Sequence, residues 1–300
     1  MIFRATVARW KKRLSTALLY LILAVIASFG VFPFIWLLSA SFKDQQELYM
    51  LRPSLIPHHP ILDNYQYVLG GLHGGGRAGG GSQLLLLYKN SIVVTLSCVA
   101  LTVLITSLAG YAFARLRFKG RDLVFSAFIV MMFLPSAGTL MAQYELMRNL
   151  HLRNSLLGLI LLYTAGGAGG GIPLFLMRQV FLGIPTELED AAKIDGASDL
   201  RICFQIMMPL ATSGMIVVAI MQFVGVWGEY LLCRTMIDSA DKMTLPYGIG
   251  TIIFATPAVG ITSSYGVAAT SVVFMVVPVL LVFILLQKWF IRGAVEGLKI

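Results

Sequence analysis

The largest group of carboxylates in the chain lies between residues 185 and 209, at Glu187, Glu189, Asp190, Asp195 and Asp199. Carboxylates in the first turns of a helix stabilise its positive end, so this group fits helix formation better than catalysis. No metal site is predicted, because no histidine has a second ligand at helical spacing and the three cysteines form no CxxC pair. No cluster of His, Asp or Cys residues indicates an enzyme, so no catalytic residue is predicted.

The first half of this segment predicts one short helix. Pro185 breaks the preceding chain, and Thr186 with Glu189 three residues later matches a capping box. The helix should run from about Glu187 to Asp195, and Gly196 would end it in the left-handed conformation that glycine favours.

The second half predicts another helix, which makes the whole segment a helix–turn–helix. Ser198 is a suitable N-cap, and the helix would continue through Asp199 and Arg201 toward Pro209. On these residues alone, two interpretations are about equally supported. The segment is either an amphipathic hairpin that links two longer helices, or a docking site for another protein.

The side chains of the segment suit a docking site. We expect one face of small side chains that a partner could approach closely, formed by Ala191, Ala192, Gly196 and Ala197. Ile194 and Leu200 would add apolar anchors, and a helix of this kind fits a groove in a partner protein.

The composition indicates a membrane protein, since 58% of the 300 residues are apolar, 12% are charged and the mean hydropathy is +0.83. A soluble domain of this size needs more charge on its surface. Charge-free intervals long enough to cross a bilayer, which takes about 20 helical residues, lie at Ala17–Phe42, Asn90–Ala114, Leu123–Tyr144, Asn154–Met177, Cys203–Gly228 and Met243–Gln287. We predict an all-α polytopic membrane protein with six transmembrane helices.

The distribution of basic residues predicts the orientation. With both termini inside, 15 of the 23 Lys and Arg residues fall on the cytoplasmic side and 8 outside, as the positive-inside rule requires. The net charge of +9 is therefore assigned to topology, and no nucleic-acid partner is predicted. The basic N-terminus followed by an apolar interval could also suit a signal peptide, but its length favours a retained span.

These predictions divide the chain. In order, we expect a cytoplasmic segment at 1–16, the first transmembrane helix at 17–42, an extracytoplasmic loop at 43–89, a five-helix transmembrane domain at 90–290 that includes the 185–209 loop, and a cytoplasmic tail at 291–300. The Gly-rich stretch Gly70–Ser82 is interpreted as a flexible linker, because it lacks the Lys-Ser/Thr of a phosphate-binding loop. The segment Tyr247–Tyr265 is interpreted as extracytoplasmic or re-entrant.

Other polar residues could line a path through the membrane. Glu229 lies close to the interior of a span, where a charge needs a partner or a polar cavity, and a structural role is favoured about two to one over solute binding. Trp227 and Tyr230 could stack on a sugar ring or belong to the interfacial aromatic belt, with equal support. The polar segment Thr251–Tyr265 is a second candidate for the path.

The sequence resembles a known family at several places in order. The string ELEDAAKIDGAS at 187–198, followed by Phe204 and MMPLA at 207–211, is similar to the EAA loop of ABC importer permeases, whose pattern is roughly E-L-x-E-A-A-x-I-D-G-A and then F and L-P. Asp190 stands where the family usually has Glu. The strings QFVGVWGEYLL at 222–232, LQKWFIRGAVEGLKI at 286–300 and RNSLLGLILLYTA at 153–165 also resemble the second permease of maltose-type and glycerol-phosphate-type importers.

The resemblance implies a multi-pass permease of the bacterial inner membrane that works with a second homologous permease, two ATPase subunits and an extracytoplasmic solute-binding protein. The solute would be sugar-like, and ATP and Mg would be bound by the ATPase subunits, with no cofactor in this chain. The helix 187–195 would be the coupling helix. Its docking residues would be Glu187, Glu189, Asp190, Ala191, Ala192, Asp195, Gly196 and Ala197. A secondary transporter or a channel is the alternative.

Overall fold

A computed structural model describes residues 2–50, 54–70, 80–133, 136–169, 171–254 and 265–296. All regular secondary structure in these ranges is helical, which confirms the all-α prediction. The helices are α1 (Ile2–Ser41), α2 (Gln45–Leu48), α3 (Asp63–Gly70), α4 (Gly80–Arg115), α5 (Arg121–Met131), α6 (Ser136–Asn149), α7 (Leu156–Gly169), α8 (Ile172–Leu182), α9 (Glu187–Ile194), α10 (Asp199–Ile202), α11 (Met208–Leu210), α12 (Thr212–Trp227), α13 (Leu231–Met236), α14 (Leu245–Phe254) and α15 (Tyr265–Glu296).

The chain forms two compact units, and the first comprises residues 1–76 and 256–274. Within it, α3 is tied to the end of α1 by Asn64, whose Nδ2 donates to the carbonyl oxygens of Ser41 at 3.0 Å and Lys43 at 2.9 Å. The Lys43 side chain is buried, and its ammonium lies 4.7 Å from the centre of the Trp36 ring. Most apolar side chains of α1 between Leu14 and Leu38 are exposed, as expected of a helix that faces lipid.

The second unit comprises residues 77–255 and 275–300. Its central helix is α4, which packs against α7, α8 and α12. The approach to α8 is close, because a Cβ on Gly110 would lie 2.7 Å from the Cβ of Met177. The three cysteines, Cys98, Cys203 and Cys233, are buried and free in this unit.

Candidate membrane spans follow the charge-free intervals only in part. Three single helices in the described residues are long and apolar enough to cross a bilayer, at Arg13–Ser41, Leu84–Arg115 and Tyr265–Lys288, and the number rises to five if each of two bent pairs is one span. The bent pairs are α7 with α8, at 52°, and the helices of Asp199–Leu210 with α12, at 78°.

Two boundaries differ from the predicted ones. The predicted span at Leu123–Tyr144 is divided between α5 and α6, so the count of six spans stays a prediction, as does the orientation. Helix α4 already begins at Gly80, inside the segment predicted as loop, because residues 83–88 are mostly leucine and extend the helix before the charge-free interval starts. Much of the predicted linker at 70–82 and of the predicted segment 247–265 lies outside the described residues.

Candidate functional site

The segment between α8 and α12, residues 185–210, is called the coupling loop below. Its first helix, α9, ends at Ile194, one residue before the predicted end. Gly196 has a φ of +78°, and its N–H donates to the carbonyl oxygen of Lys193 at 3.0 Å. The predicted left-handed C-cap is confirmed, and it turns the chain sharply after α9.

The start of α9 differs from the prediction. Thr186 has a helical backbone, with φ −70° and ψ −26°, and its side chain caps nothing. Its carbonyl oxygen instead accepts hydrogen bonds from the N–H groups of Glu189 and Asp190, both at 3.0 Å. The predicted capping box is therefore wrong, because the backbone already satisfies these N–H groups and the Glu189 side chain turns inward.

Glu189 is the buried carboxylate of the loop, with only 4% of its surface exposed. Its Oε1 accepts a hydrogen bond from Lys193 Nζ at 2.9 Å, and its Oε2 lies 3.8 Å from Arg115 Nε. The hydrogen bond to Glu189 raises the pKa of the Lys193 ammonium. A carboxylate removed from water in this way needs both cations.

Arg115, the last residue of α4, connects three elements. Its Nη2 donates to the carbonyl oxygen of Phe181 at 2.6 Å and to that of Ile184, while its Nε faces Glu189. We call this set, Arg115 with Phe181, Ile184 and Glu189, the Arg115 junction. It joins the end of α4 and the end of α8 to the first turn of α9, and only 7% of the arginine side chain is exposed.

A second arginine fastens α8 to α4 and α5. Arg178 Nε donates to the carbonyl oxygen of Phe113 at 3.3 Å, and its guanidinium lies 4.4 Å from the centre of the Phe125 ring. From the sequence, neither arginine is predicted to do more than contribute to the orientation of the chain in the membrane. The sequence does contain a sign of the role of Arg115, which stands at the end of a long apolar interval. An arginine at such a place can donate to the free carbonyl groups at the end of a neighbouring helix.

The second helix of the coupling loop begins at the predicted N-cap and runs to Leu210, with a π-helical turn inside it. Ser198 Oγ accepts a hydrogen bond from the N–H of Arg201 at 3.4 Å, as predicted. The helix α10 ends at Ile202, a π-helical turn covers Cys203–Met207, and α11 follows. The helical run toward Pro209 is therefore confirmed, and the π-helical turn inside it follows from Pro209, which has no N–H to donate to the carbonyl group four residues earlier.

The small residues of the loop do not share one face. Ala192 is 7% exposed and lies in a core cluster with Ile202 and Met207, and Ala197 packs against the same cluster. Ala191 and Gly196 are exposed. The prediction of a common face for all four is wrong, because successive residues of a helix point about 100° apart.

The opposite side of the loop is open and partly apolar. Ile194 is 87% exposed, Leu200 is 68% exposed and Leu188 is 44% exposed, so the predicted anchors are accessible. Exposed carboxylate-bearing residues flank them, at Glu187, Asp190, Asp195 and Asp199. We call Leu188, Ala191, Ile194 and Leu200 the docking surface.

Elsewhere in the second unit, Glu229 has a structural role as a hydrogen-bond acceptor. Its Oε1 accepts from the N–H of Leu232 at 2.8 Å, and its Oε2 accepts from the N–H of Cys233 at 3.3 Å and from the Tyr163 hydroxyl at 2.6 Å. The carboxylate therefore caps the start of α13, in agreement with the favoured structural interpretation.

The two aromatic candidates for the solute path are also engaged within the chain. Trp227 is 3% exposed, stacks on Phe223 at 5.5 Å and donates from Nε1 to the carbonyl oxygen of Met275 at 3.0 Å. Tyr230 packs edge-on to Tyr247 and accepts a hydrogen bond from Arg234 at 2.8 Å. The segment Thr251–Tyr265 lies mostly outside the described residues.

No group of three or more His, Cys, Asp or Glu residues among those the structure describes could hold a metal ion.

Comparisons with known proteins agree with the motifs. A family model described as binding-protein-dependent transport system inner membrane component matches residues 78–295. The galactooligosaccharides transport system permease protein GanQ of Bacillus subtilis is 35% identical over 280 residues, with 93% of each chain covered. The sulfoquinovosyl glycerol transport system permease protein SmoH of Agrobacterium fabrum is 33% identical over 272 residues, covering 89% of this chain and 88% of the relative.

A solved structure shares the fold. A chain of a bacterial ABC transporter that imports the acidic polysaccharide alginate matches with a TM-score of 0.77 at 22% identity, covering 93% of this chain and 97% of the other. The family match extends over most of the chain, including α4, the coupling loop and most of α15. The chain therefore belongs to the family of inner membrane components of binding-protein-dependent transport systems, in which it is a multi-pass permease subunit.

Proposed function

We propose that this permease forms half of the translocation path of an ABC importer for a carbohydrate or a sugar derivative. The relatives support a solute of this class, since their names specify galactooligosaccharides, arabinooligosaccharides and sulfoquinovosyl glycerol. Membership of the family makes the alternative of a secondary transporter or channel the weaker one.

One observation supports the proposed coupling role. One side of the coupling loop is bound to the ends of α4 and α8 through the Arg115 junction, and the other side exposes apolar residues. Ile194 and Leu200 are large, exposed and close to carboxylates, which suits a groove in another protein that also carries basic residues. We assign this groove to an ATPase subunit. Asp190 is exposed, so its carboxylate is available to that partner, whereas the neighbouring Glu189 is already paired within the chain.

The Arg115 junction gives the loop a means of moving the membrane helices. A buried arginine that binds two carbonyl oxygens and faces a carboxylate resists being pulled apart, because each separated group would be left unpaired away from water. When ATP closes the ATPase pair, a displacement of α9 would therefore reach the ends of α4 and α8 together. This is the rigid-body kind of switching.

The remaining partners follow from the family. We propose a second homologous permease, two ATPase subunits that bind ATP and Mg, and an extracytoplasmic solute-binding protein. A solved alginate transporter bound to a periplasmic protein, which matches this chain with a TM-score of 0.64, has an arrangement of the last kind. The proposed topology keeps six spans with both termini inside, so that the coupling loop, 185–209 in the predicted division of the chain, faces the cytoplasm.

Uptake by the reconstituted importer tests the proposal. Vesicles that contain the permease pair and the ATPase subunits should accumulate a labelled oligosaccharide only when ATP and the loaded binding protein are both supplied. An ATPase-dead importer is the control. Uptake that persists without ATP, driven by an ion gradient, would contradict the proposed function.

A further inference from the structure

The turn between α4 and α5 is strongly basic, and two of its four cationic side chains form no ion pair within the described residues. It carries Arg115, Arg117, Lys119 and Arg121 within residues 115–121. Arg115 belongs to the Arg115 junction. Among the residues that the structure describes, Arg117 and Lys119 have no carboxylate within ion-pair distance, so their charges are not neutralised by the chain.

A cleft of about 400 Å³ opens beside this turn, and two guanidinium groups line it. Its lining consists of Arg117, Phe118, Gly120, Arg121, Asp122 and Leu123. Arg121 donates to Asp122 at 3.1 Å and to the carbonyl oxygen of Leu116 at 3.5 Å, which leaves further N–H donors of its five. The pair with Asp122 is solvent-exposed and therefore weak, so it can yield to a stronger anion.

Acidic residues restrict where an anion can sit. A larger cleft of about 630 Å³ adjoins the first and shares Arg117 and Arg121 with it, but its far side carries Asp190 and Asp199 of the coupling loop. Glu189 and Lys193 also line that side and are paired with each other. A negative group is repelled from the far side and drawn to the two arginines.

The apolar residues around the cleft identify the kind of anion. Phe118 is 44% exposed and Leu123 is 77% exposed, and both line the cleft next to the arginines. Helix α5 continues from there with further exposed apolar side chains, including Val130 at 62%. A ligand at this place meets two arginines on one side and a helix with exposed apolar side chains on the other.

We propose that Arg117 and Arg121 form a binding site for the phosphate of an anionic phospholipid, with Phe118 and Leu123 contacting the start of its acyl chains. Guanidinium groups bind phosphate oxygens in a bidentate manner, and basic pockets between membrane helices on the cytoplasmic side are typical headgroup sites. The site adjoins α9 across Arg115, so a bound lipid would stabilise the turn against which the coupling loop is held. The lipid site rests on the proposed orientation, which places this turn on the cytoplasmic side, but it does not depend on the transported solute.

Lipid binding by the assembled importer tests this assignment. We would place the complex in nanodiscs of phosphatidylcholine with increasing phosphatidylglycerol and count retained phosphatidylglycerol by native mass spectrometry. Arg117→Gln and Arg121→Gln should each weaken retention about tenfold, the effect of losing one charge-assisted pair of hydrogen bonds. Lys119→Gln is the matched control, because it removes one charge from the same turn but does not line the cleft. It should change retention less than about twofold.

Two further experiments distinguish lipid phosphate from free phosphate and show whether a loss of lipid binding is due to misfolding. Arg117→Lys keeps the charge that orients the helices but loses the bidentate geometry, so its retention should fall between those of the parent and Arg117→Gln. Excess inorganic phosphate should not displace the lipid, and displacement would overturn the assignment to lipid. An equal loss in Lys119→Gln, or loss of ATPase subunits from Arg117→Gln with unchanged lipid, would also overturn the proposal.

Discussion

The coupling loop and the segment from Trp227 to Asp238 both contain a glutamate that holds a short helix in place. They differ in how many of their apolar side chains stay exposed. Glu229 caps α13. After this helix, the N–H groups of Asp238 and Ser239 donate to Asn154 Oδ1 at 3.2 and 3.1 Å, so the chain itself supplies their acceptor. Glu189 fastens α9 equally well from inside. Yet α9 leaves Ile194 87% exposed.

This difference suits the roles proposed for the two segments, a structural one for 227–238 and binding of a partner protein for the coupling loop. In the segment at 227–238, the large residues Trp227 and Met236 are 3% and 2% exposed, and the one exposed large apolar residue is Leu231, at 52%, so less apolar surface stays outside than in the coupling loop. In the coupling loop, the buried side is complete and the apolar residues that remain outside have no covering among the described residues. Four substitutions test this difference between the two segments, and those with the largest expected effects come first.

The largest effect is expected from Arg115→Met. It leaves Glu189 buried with Lys193 alone and frees the carbonyl groups of Phe181 and Ile184, so the free energy of unfolding should fall by about 3–5 kcal/mol. Thermal unfolding of the purified chain measures it. Glu187→Ala, at an exposed carboxylate on the same loop, should change the free energy by less than about 0.5 kcal/mol. Equal stability of the two variants would remove the junction from the account.

Ile194→Asp should weaken retention of the ATPase subunits without destabilising the chain. A central apolar anchor of an interface contributes about 2 kcal/mol, so the dissociation constant should rise about thirtyfold. Leu150→Asp is a suitable control, since Leu150 is also exposed, at 53%, but lies outside the coupling loop. Titration of ATPase subunits against the immobilised permease measures both. A similar loss in the control would indicate general damage instead of a docking surface.

Glu229→Ala should cost about 1–2 kcal/mol in the free energy of unfolding, because the N–H groups at the start of α13 and the Tyr163 hydroxyl lose their acceptor. Glu229→Gln keeps an acceptor oxygen and should cost less. Since the carboxylate is occupied within the chain, the concentration of solute-loaded binding protein that gives half-maximal ATPase stimulation should stay unchanged in Glu229→Gln. A tenfold shift there would assign Glu229 to the solute path.

The smallest effect is expected from Gly196→Ala, which places a Cβ in a left-handed conformation, at φ +78°. No atom of the described residues lies within 4 Å of the added Cβ, so the cost is the backbone strain alone, about 1 kcal/mol. Gly183→Ala is the matched comparison, because Gly183 also ends a helix but has a φ of −76° and space for a Cβ. Stability curves should show a loss for the first variant and almost none for the second. A reversed order would contradict the turn that directs the chain after α9.

The sequence predicted the parts of the loop that depend on neighbouring residues. Ser198 and Gly196 act through hydrogen bonds and backbone angles within one turn, and both were predicted correctly. The predicted capping role of Thr186 was wrong. The Glu189 side chain turns toward Arg115, which lies more than 70 residues earlier in the chain. Local patterns cannot reveal such a pair.

The same limit explains the error over Ala192 and the two roles left open for Trp227. Ala192 looks like a docking residue from its size, but its direction is fixed by the core around Ile202 and Met207. Trp227 has the side chain of a sugar-binding residue, but Phe223 and the carbonyl group of Met275 already engage it. In each case tertiary packing selected between two roles that the residue type allows equally.

Site-specific crosslinking tests the central claim, that the exposed side of the coupling loop docks on an ATPase subunit, most directly. Ile194→Cys and Leu150→Cys would each be labelled with a short photocrosslinker in the assembled importer, and the native cysteines are buried and should react little. We expect a crosslink to the ATPase subunit from position 194 and none from position 150, with a yield that changes when ATP is added. Crosslinks from position 194 only to lipid or to a second permease would contradict the account.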